Sequence, residues 1–358
     1  MVKLLGEELS KTELTKRFGD YNHLVGFQHY KLNNGKEKDV EVVQVSTGTG
    51  FRFEVLKSRG LDIGRCYYKE IPISFRSCVS ESYPTFYETF NDGWLRSYSG
   101  GLLTTCGLTS IGTPINDKGE ILPLHGRLSN IPSESFYTKN RWENDDLYLD
   151  VNGSVREAKA LNYNLLLERC ITAKAGTNAF HIHDIVTNEG FTDTEHMILY
   201  HFNIGYPILD RNLKLYIKSI SVNPRDEIAK NRIDKFDEFL DPTHSYPDVV
   251  YYHNLKPDYK DECQVAVVNE KRNIGFYLKF SKKSLDQFTQ WKFMGEGNYI
   301  IGLEPGNARV NGRNVERRSG RLKVLKAQTS VEYDIEVGFL SEINGINQFL
   351  KKYIIYKK

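Results

Sequence analysis

The sequence predicts an all-β fold, mainly antiparallel, with a few short helices. Three observations carry this prediction. Short runs rich in β-branched and aromatic residues recur about every 10–15 residues, separated by Gly, Asn and Pro turn residues. No regular alternation of strand and helix patterns is present, which argues against a nucleotide-binding α/β sheet and for a sandwich or barrel. The composition, with 22 Tyr and 19 Phe beside only three Met, favours pleated surfaces over helix bundles.

Taken in order, Ser10 followed by Glu13 forms a capping-box pattern, predicting a short helix to about Arg17 that Gly19 stops. Strands are then predicted over 40–45 (VEVVQV), 51–55 (FRFEV), 71–75 (IPISF) and 147–151 (LYLDV). Thr47-Gly48-Thr49-Gly50 and Asn34-Gly35 read as turns between them. Further strands are predicted over 165–172, 179–187, 196–204, 214–220, 264–268, 275–280 and 330–339, with weaker helical stretches at 83–90 and 226–239. From Ile343 the tail carries Phe349, Leu350, Tyr353, Ile354 and Ile355 among four lysines, the pattern of a short helix docking on the body. With no repeat and no Gly/Ser or Pro-rich linker, the expected organisation is a helical lead-in (1–30), one large β domain (31–342) and the tail (343–358).

Composition narrows the function classes. With 48 Lys and Arg against 46 Asp and Glu, the net charge is +2, too balanced for nucleic-acid binding to be the main business of the chain. No run approaches the ~18 apolar residues of a membrane helix, and MVKLLGEELSKTEL lacks a signal-peptide pattern. Neither nucleic acid nor membrane is therefore an expected partner. Cys66, Cys78, Cys106, Cys170 and Cys263 are odd in number and widely spaced, which predicts reduced thiols and a cytoplasmic location. The sequence leaves the oligomeric state open.

The phosphate-loop, dinucleotide, nucleophile-elbow and H-E-x-x-H fingerprints are all missing. His181 and His183, two apart on a predicted strand, share a face and would reach one ion together. The preferred reading is an exposed polar strand face, so no metal is expected. Three other segments place polar residues in apolar or glycine-rich settings. In Leu122-Pro123-Leu124-His125-Gly126-Arg127, after the GGLLTTCGL run at 100–108, a histidine sits at a glycine turn where backbone and ligand can approach closely. Along Leu199 to Pro207, His201 and Asn203 point to one side of a strand and Tyr200 and Phe202 to the other. In Ile300 to Asn307, Glu304 follows an apolar strand and begins a Pro-Gly turn. Each alone is an ordinary structural feature. Together they supply imidazoles to give a proton and a carboxylate to take one.

These segments carry a resemblance. LHG at Leu124–Gly126, HFN at His201–Asn203 and LEP at Leu303–Pro305 resemble, in order, the three signature regions of the aldose 1-epimerase (galactose mutarotase) superfamily. SRGLDI at 58–63, GGLLTTCGL and YHFNIGYP look closer to a little-characterised bacterial branch of it, and the likeness spans roughly Val40 to Leu340. The resemblance implies a β-supersandwich with a sugar cleft on a concave sheet face. It implies Glu304 as the general base at the anomeric hydroxyl, His201 as the general acid at the ring oxygen, and His125 as a sugar-binding group. It implies a small-molecule carbohydrate partner and no cofactor, because only protons move. This sequence departs from the pattern at Arg127, which stands where a second glycine usually follows H-G, and around Arg59 and Asp62, which differ from the usual Asn-Arg region. Arg59, Asp62, Arg127, Asn203 and Arg169 are the candidate hydroxyl-binding groups, and Arg127 or Arg169 would favour an acidic or phosphorylated sugar. The alternative for Arg59 and Asp62 is a structural ion pair in a tight turn. The expected activity is sugar mutarotation. Its competitors are a non-catalytic carbohydrate-binding protein, a sugar isomerase or epimerase acting at carbon and, last, a metal enzyme using His181 and His183.

Overall fold

Along the strand Thr194–Ile204, side chains alternate between two apolar environments. Ile198, Tyr200, Phe202 and Ile204 join one buried cluster, while Met197 and Leu199 join a second. A strand covered on both faces reads as a continuous apolar run, and the architecture follows from that. In the computed structural model, which describes residues 1–355, two antiparallel sheets pack face to face, and loops cover the outer face of the larger one.

The larger sheet runs, edge to edge, Ser219–Pro224, Val249–Leu255, Gln287–Gly295, Asn298–Gly306, Thr194–Ile204, Leu103–Leu108, Asp62–Tyr68, Phe51–Leu56, Glu41–Ser46 and Gly26–Lys31. The smaller runs Ser135–Glu143, Asp146–Ala158, Asn164–Lys174, Ala179–Asn188, Ser330–Ser341, Ile274–Ser281, Glu262–Asn269 and Leu213–Ile217. Between them lies the main core, with Val55, Ile63 and Phe202 from one sheet against Leu167, Phe180 and Ile335 from the other. The second cluster, which includes Phe75, Trp94, Leu199, Val250 and Ile300, covers the far face of the larger sheet.

A buried polar network ties the two sheets. Arg169 and Asp184 face each other across neighbouring strands of the smaller sheet and form a two-pronged ion pair at 2.8 and 2.6 Å. Arg169 also donates to the Thr105 hydroxyl at 3.0 Å, in the larger sheet, and to the Leu61 carbonyl at 3.2 Å, in the turn that leads into the sheet's strand Asp62–Tyr68. The Tyr200 hydroxyl donates to Asp184 at 2.7 Å, and Asp62 accepts the Thr105 amide at 2.8 Å. A buried pair of this kind is stable only because its remaining donors and acceptors are satisfied.

Several expected elements take a different form. The Ser10 helix spans Lys11–Arg17 with both halves of the capping box made. The expected 71–75 strand breaks into Ile71–Pro72 and Phe75–Arg76, since Pro72 has no N–H for a ladder. The stretch at 83–90 is helical only over Pro84–Phe86, and 226–239 holds two short pieces, Glu227–Lys230 and Ile233–Lys235. Glu304 lies inside the strand Asn298–Gly306, not in a turn after it. The helix Ile343–Phe349 packs Ile346 and Phe349 on Ala266, Val268 and Tyr277 of the smaller sheet. The side chains of Tyr353, Ile354 and Ile355, and residues 356–358, lie outside the described set.

Replacing Asp184 with Ala strands the Arg169 guanidinium in the core. The expected cost is about 3–5 kcal/mol in urea unfolding, much of it recovered when Arg169→Met is added. A loss below about 1 kcal/mol would show that the network does not carry the inter-sheet contact.

Candidate active site

Strand register brings the acid and the imidazole together. Leu199 pairs with Gly306 and Phe202 with Leu303, so His201 stands opposite Glu304. Thr104 lies on the other side of His201, and Thr289 lies on the other side of Glu304. One row across the larger sheet therefore reads Thr104, His201, Glu304, Thr289. Nε2 of His201 and Oε1 of Glu304 are 3.2 Å apart, with side chains only 5% and 2% exposed. They are not aligned as a hydrogen bond, and Glu304 Oε1 has no hydrogen-bond partner.

Gly302 makes room for this pair. It precedes Glu304 by two residues on the same face, and a Cβ there would fall on the Glu304 carboxylate and within 3.3 Å of His201 Cε1. His125 arrives from a loop. It has φ 57 and Gly126 has φ 75, two successive left-handed residues that fold the chain back on itself. The His125 amide donates to the Gly112 carbonyl at 2.9 Å, and the Tyr87 hydroxyl donates to the Gly126 carbonyl at 2.8 Å. The His125 and His201 rings end 5.7 Å apart.

Aromatic side chains frame the imidazoles. Trp94 stacks on Tyr98 with centroids 4.6 Å apart and lies 4.7 Å from the His125 ring. Trp291 meets His201 edge-on at 5.4 Å. These residues line a cavity of about 490 Å³, with Phe75, Leu124, Val250, Phe293, Ile300 and Val310 supplying apolar wall. At its edge Arg225 bonds Asp226 at 2.9 Å and Asp248 at 2.7 Å, and Asp248 accepts the Trp291 indole N–H. Four buried polar atoms of the lining residues have no hydrogen-bond partner: His125 Nδ1, His201 Nδ1, Glu304 Oε1 and Thr289 Oγ1.

Burial sets the protonation states. It pushes His201 down to about 4. It also pushes His125 down to about 3, helped by the positive charge that His201 and Arg225 would add nearby. The same desolvation drives Glu304 well above the usual carboxylate range, with Asp248 adding to it and Arg225 opposing it.

The remaining sequence candidates sit elsewhere. Asn203 is buried behind the cavity, accepting the Tyr98 hydroxyl at 2.7 Å and donating to the His201 carbonyl at 2.9 Å. Arg59 is buried and donates to the carbonyls of Ser82 and Ser97, fastening the loop that carries Trp94. It makes no ion pair with Asp62, which faces Arg169 at 3.7 Å. The structure therefore brings Arg59, Asp62 and Arg169 into the protein interior, away from the cavity wall. Arg127 lines a separate pocket with Glu120, Lys159 and Tyr163. His181 and His183 both face Asp334, at 3.4 and 2.9 Å, on a partly exposed surface. Among the described residues no group of three or more His, Cys, Asp or Glu is placed to hold a metal ion.

Sequence reasoning missed Trp94, Tyr98, Arg225, Asp248, Thr289 and Trp291. A usable signal was rarity: the chain has three Trp, and two of them line this cavity.

Residues 37–339 match the family described as a domain of unknown function, DUF4432. The chain belongs to that family. Among curated proteins nothing matches its sequence. Among solved structures it is similar to a Klebsiella pneumoniae protein provisionally assigned as an aldose 1-epimerase, with TM-score 0.87 and 23% identity over 91% of this chain and 86% of that one. It is similar to a galactose mutarotase-like protein from Clostridium acetobutylicum, with TM-score 0.63 and 13% identity over 90% and 100% of the two chains. A galactose 1-epimerase from Lactobacillus acidophilus gives TM-score 0.57 and 12% identity over 88% and 99%. At these identities the likeness establishes the fold, which is that of the galactose mutarotase-like β-sandwiches.

The electrostatics give a pH prediction for the protein by itself. In an unfolded chain His125 and His201 titrate near 6.5, whereas in the fold they stay neutral to about 3 and about 4. The unfolded state thus takes up protons first, and the stability these two rings contribute falls as pH drops below about 6.5. Imidazole nitrogen NMR shifts of both should remain those of the neutral ring from pH 8 to pH 5. An imidazolium signal appearing near pH 6.5 would contradict the desolvated site.

Proposed function

We propose that this DUF4432 protein is a sugar mutarotase, interconverting the anomers of a cyclic aldose or aldose derivative by acid–base ring opening. The observation that carries the reading is the cavity itself. Four buried polar atoms without partners, on His125, His201, Glu304 and Thr289, belong to side chains that line one apolar, aromatic-walled space. Buried polar groups left unpaired are costly, so a site that holds four of them is built for a polar ligand.

The chemistry needs one proton shared between an acid and a base. Desolvation keeps that proton on Glu304 and leaves His201 neutral. Moving it across the 3.2 Å gap gives a carboxylate and an imidazolium. In that state Glu304 takes the proton from the anomeric hydroxyl while His201 protonates the ring oxygen. The C1–O5 bond opens to the free carbonyl form, rotation about C1–C2 exposes its other face, and reclosure returns both protons. His125, a neutral hydrogen-bonding ring beside His201, orients the sugar near the same oxygen. Trp94 and Trp291, both on the cavity lining, supply aromatic surface to its C–H groups. The reaction moves only protons and so requires no metal or organic cofactor. Adding a proton to the pair removes the base and subtracting one removes the acid, so kcat should be bell-shaped in pH.

Five unpaired cysteines suit a reducing compartment, which supports a cytoplasmic location. Among the described residues no helix is long and apolar enough to cross a membrane.

The test is NMR of anomer exchange in deuterated water with a panel of aldoses. Acceleration without deuterium at carbon supports mutarotation. Deuterium on carbon would make the protein an isomerase or epimerase. Binding without acceleration would leave a carbohydrate-binding protein. Glu304→Gln should lower kcat by about 10²- to 10⁴-fold with folding intact. Gly302→Ala offers an independent check, since it displaces the carboxylate without removing it. Its kcat should fall while the unfolding midpoint changes little, and full activity in that variant would remove Glu304 from the mechanism.

A further inference from the structure

The class of sugar can be read from what the cavity wall offers beyond the reacting groups, an inference that rests on reading the cavity as the sugar site. Hydroxyl-rich sugars need hydrogen-bonding side chains at several points around the ring. Anionic sugars need an unpaired cation. Here the polar groups fall into two sets. One is the inner set, His125, His201, Glu304 and Thr289. The other lies at the edge: Arg225, Asp248 and the exposed Asn298. Ser77, Trp94, Tyr98 and Trp291 also line the space, but their polar groups are engaged: the Ser77 hydroxyl donates to the Tyr98 carbonyl at 2.6 Å and accepts the Val79 amide at 3.1 Å, Trp94 donates to Ser129, Tyr98 to Asn203 and Trp291 to Asp248. The rest of the wall includes Phe75, Leu124, Val250, Phe293, Ile300 and Val310, none with a polar side-chain atom.

Charge is equally restrictive. Among the described lining residues the permanent cation is Arg225, and two carboxylates already hold it, Asp226 at 2.9 Å and Asp248 at 2.7 Å. With Glu304 and Asp248 also on the wall, a phosphate or carboxylate on the sugar would meet acids and an engaged guanidinium. Arg127 and Arg169, the cations the sequence offered for such a group, are directed elsewhere.

We infer that the substrate is an uncharged deoxy sugar, one that presents a methyl or unsubstituted carbon to the apolar wall where an ordinary hexose carries a hydroxyl. A hydroxyl buried against Phe293, Ile300 and Val310 gives up water without gaining a partner, whereas a methyl group gains by leaving water. Apolar pockets discriminate against an added hydroxyl by about 10- to 100-fold.

The experiment compares matched series by NMR anomer exchange: a hexose, its 6-deoxy analogue and its 6-phosphate, in the galacto, gluco and manno configurations. The expected result is at least one series in which the 6-deoxy sugar has a kcat/KM about 10- to 100-fold above its parent, with the phosphate ester below both. A parent hexose or a phosphate ester that matches or exceeds the deoxy sugar in every series overturns the inference. Val310→Thr, which places a hydroxyl on the wall at nearly constant volume, should narrow the ratio. Leu124→Gln, at a more exposed position, does the same should Val310→Thr fail to fold. Calorimetric binding of the panel to Glu304→Gln separates this inference from mutarotation. Preferential binding of deoxy sugars to the variant, with no accelerated exchange by the unaltered protein, upholds the sugar class and removes the activity. Accelerated exchange favouring the parent hexose does the reverse, and binding of no sugar overturns both.

Discussion

The guanidinium of Arg169, clamped by Asp184 and reaching across to Thr105 and the Leu61 carbonyl, fixes the distance and register of the two sheets. Its geometry matters because of what stands next door in sequence. Tyr200, bonded to Asp184, immediately precedes His201, and Thr105 immediately follows Thr104, which pairs with His201. Adjacent residues of a strand point to opposite faces. Whatever holds Tyr200 and Thr105 toward the interior therefore holds His201 outward toward the cavity. A one-residue slip would turn His201 into the core and take the Thr105 and Tyr200 hydroxyls away from Arg169 and Asp184, so the penalty for losing the site is set by the core.

The loops are held with comparable economy. Arg59, itself buried, grips two carbonyls of the segment that delivers Trp94 and Tyr98. Asn203 joins Tyr98 to the backbone at His201, so the aromatic wall and the imidazole move together. His125 is held by backbone bonds around two left-handed residues, a conformation a histidine adopts only where its surroundings impose it. These residues sit behind the cavity wall. Their contribution is position, and it frees the wall itself to be apolar.

That apolar wall also sets the protonation states of the site. Removing water raises Glu304 and lowers His201 by the same mechanism, so both groups rest in their neutral forms. A more polar cavity would bind hydroxyls better and would leave the carboxylate a weaker base. On the proposed reading, the protonation states of the site and its choice of sugar are two consequences of one desolvated space.

Strand patterning was legible wherever burial is one-sided or complete, as along 179–187 and 330–339, because side-chain alternation or an apolar run reports it directly. The capped helix after Ser10 was legible because its signal is local. The strands Asp62–Tyr68, Leu103–Leu108 and Gln287–Gly295 were not, since glycine, cysteine, threonine and charged residues there are stabilised by partners distant in sequence. The sequence by itself determined the alternation that aims His201 and the apolar run that ends in Glu304. Tertiary structure decided that they stand opposite each other, because pairing of Leu199 with Gly306 and Phe202 with Leu303 is a contact between strands about a hundred residues apart. It also decided the fates of Arg59, Asp62 and Arg169. A charged residue in sequence looks the same whether it faces a ligand or a buried partner, and only packing supplies the second charge.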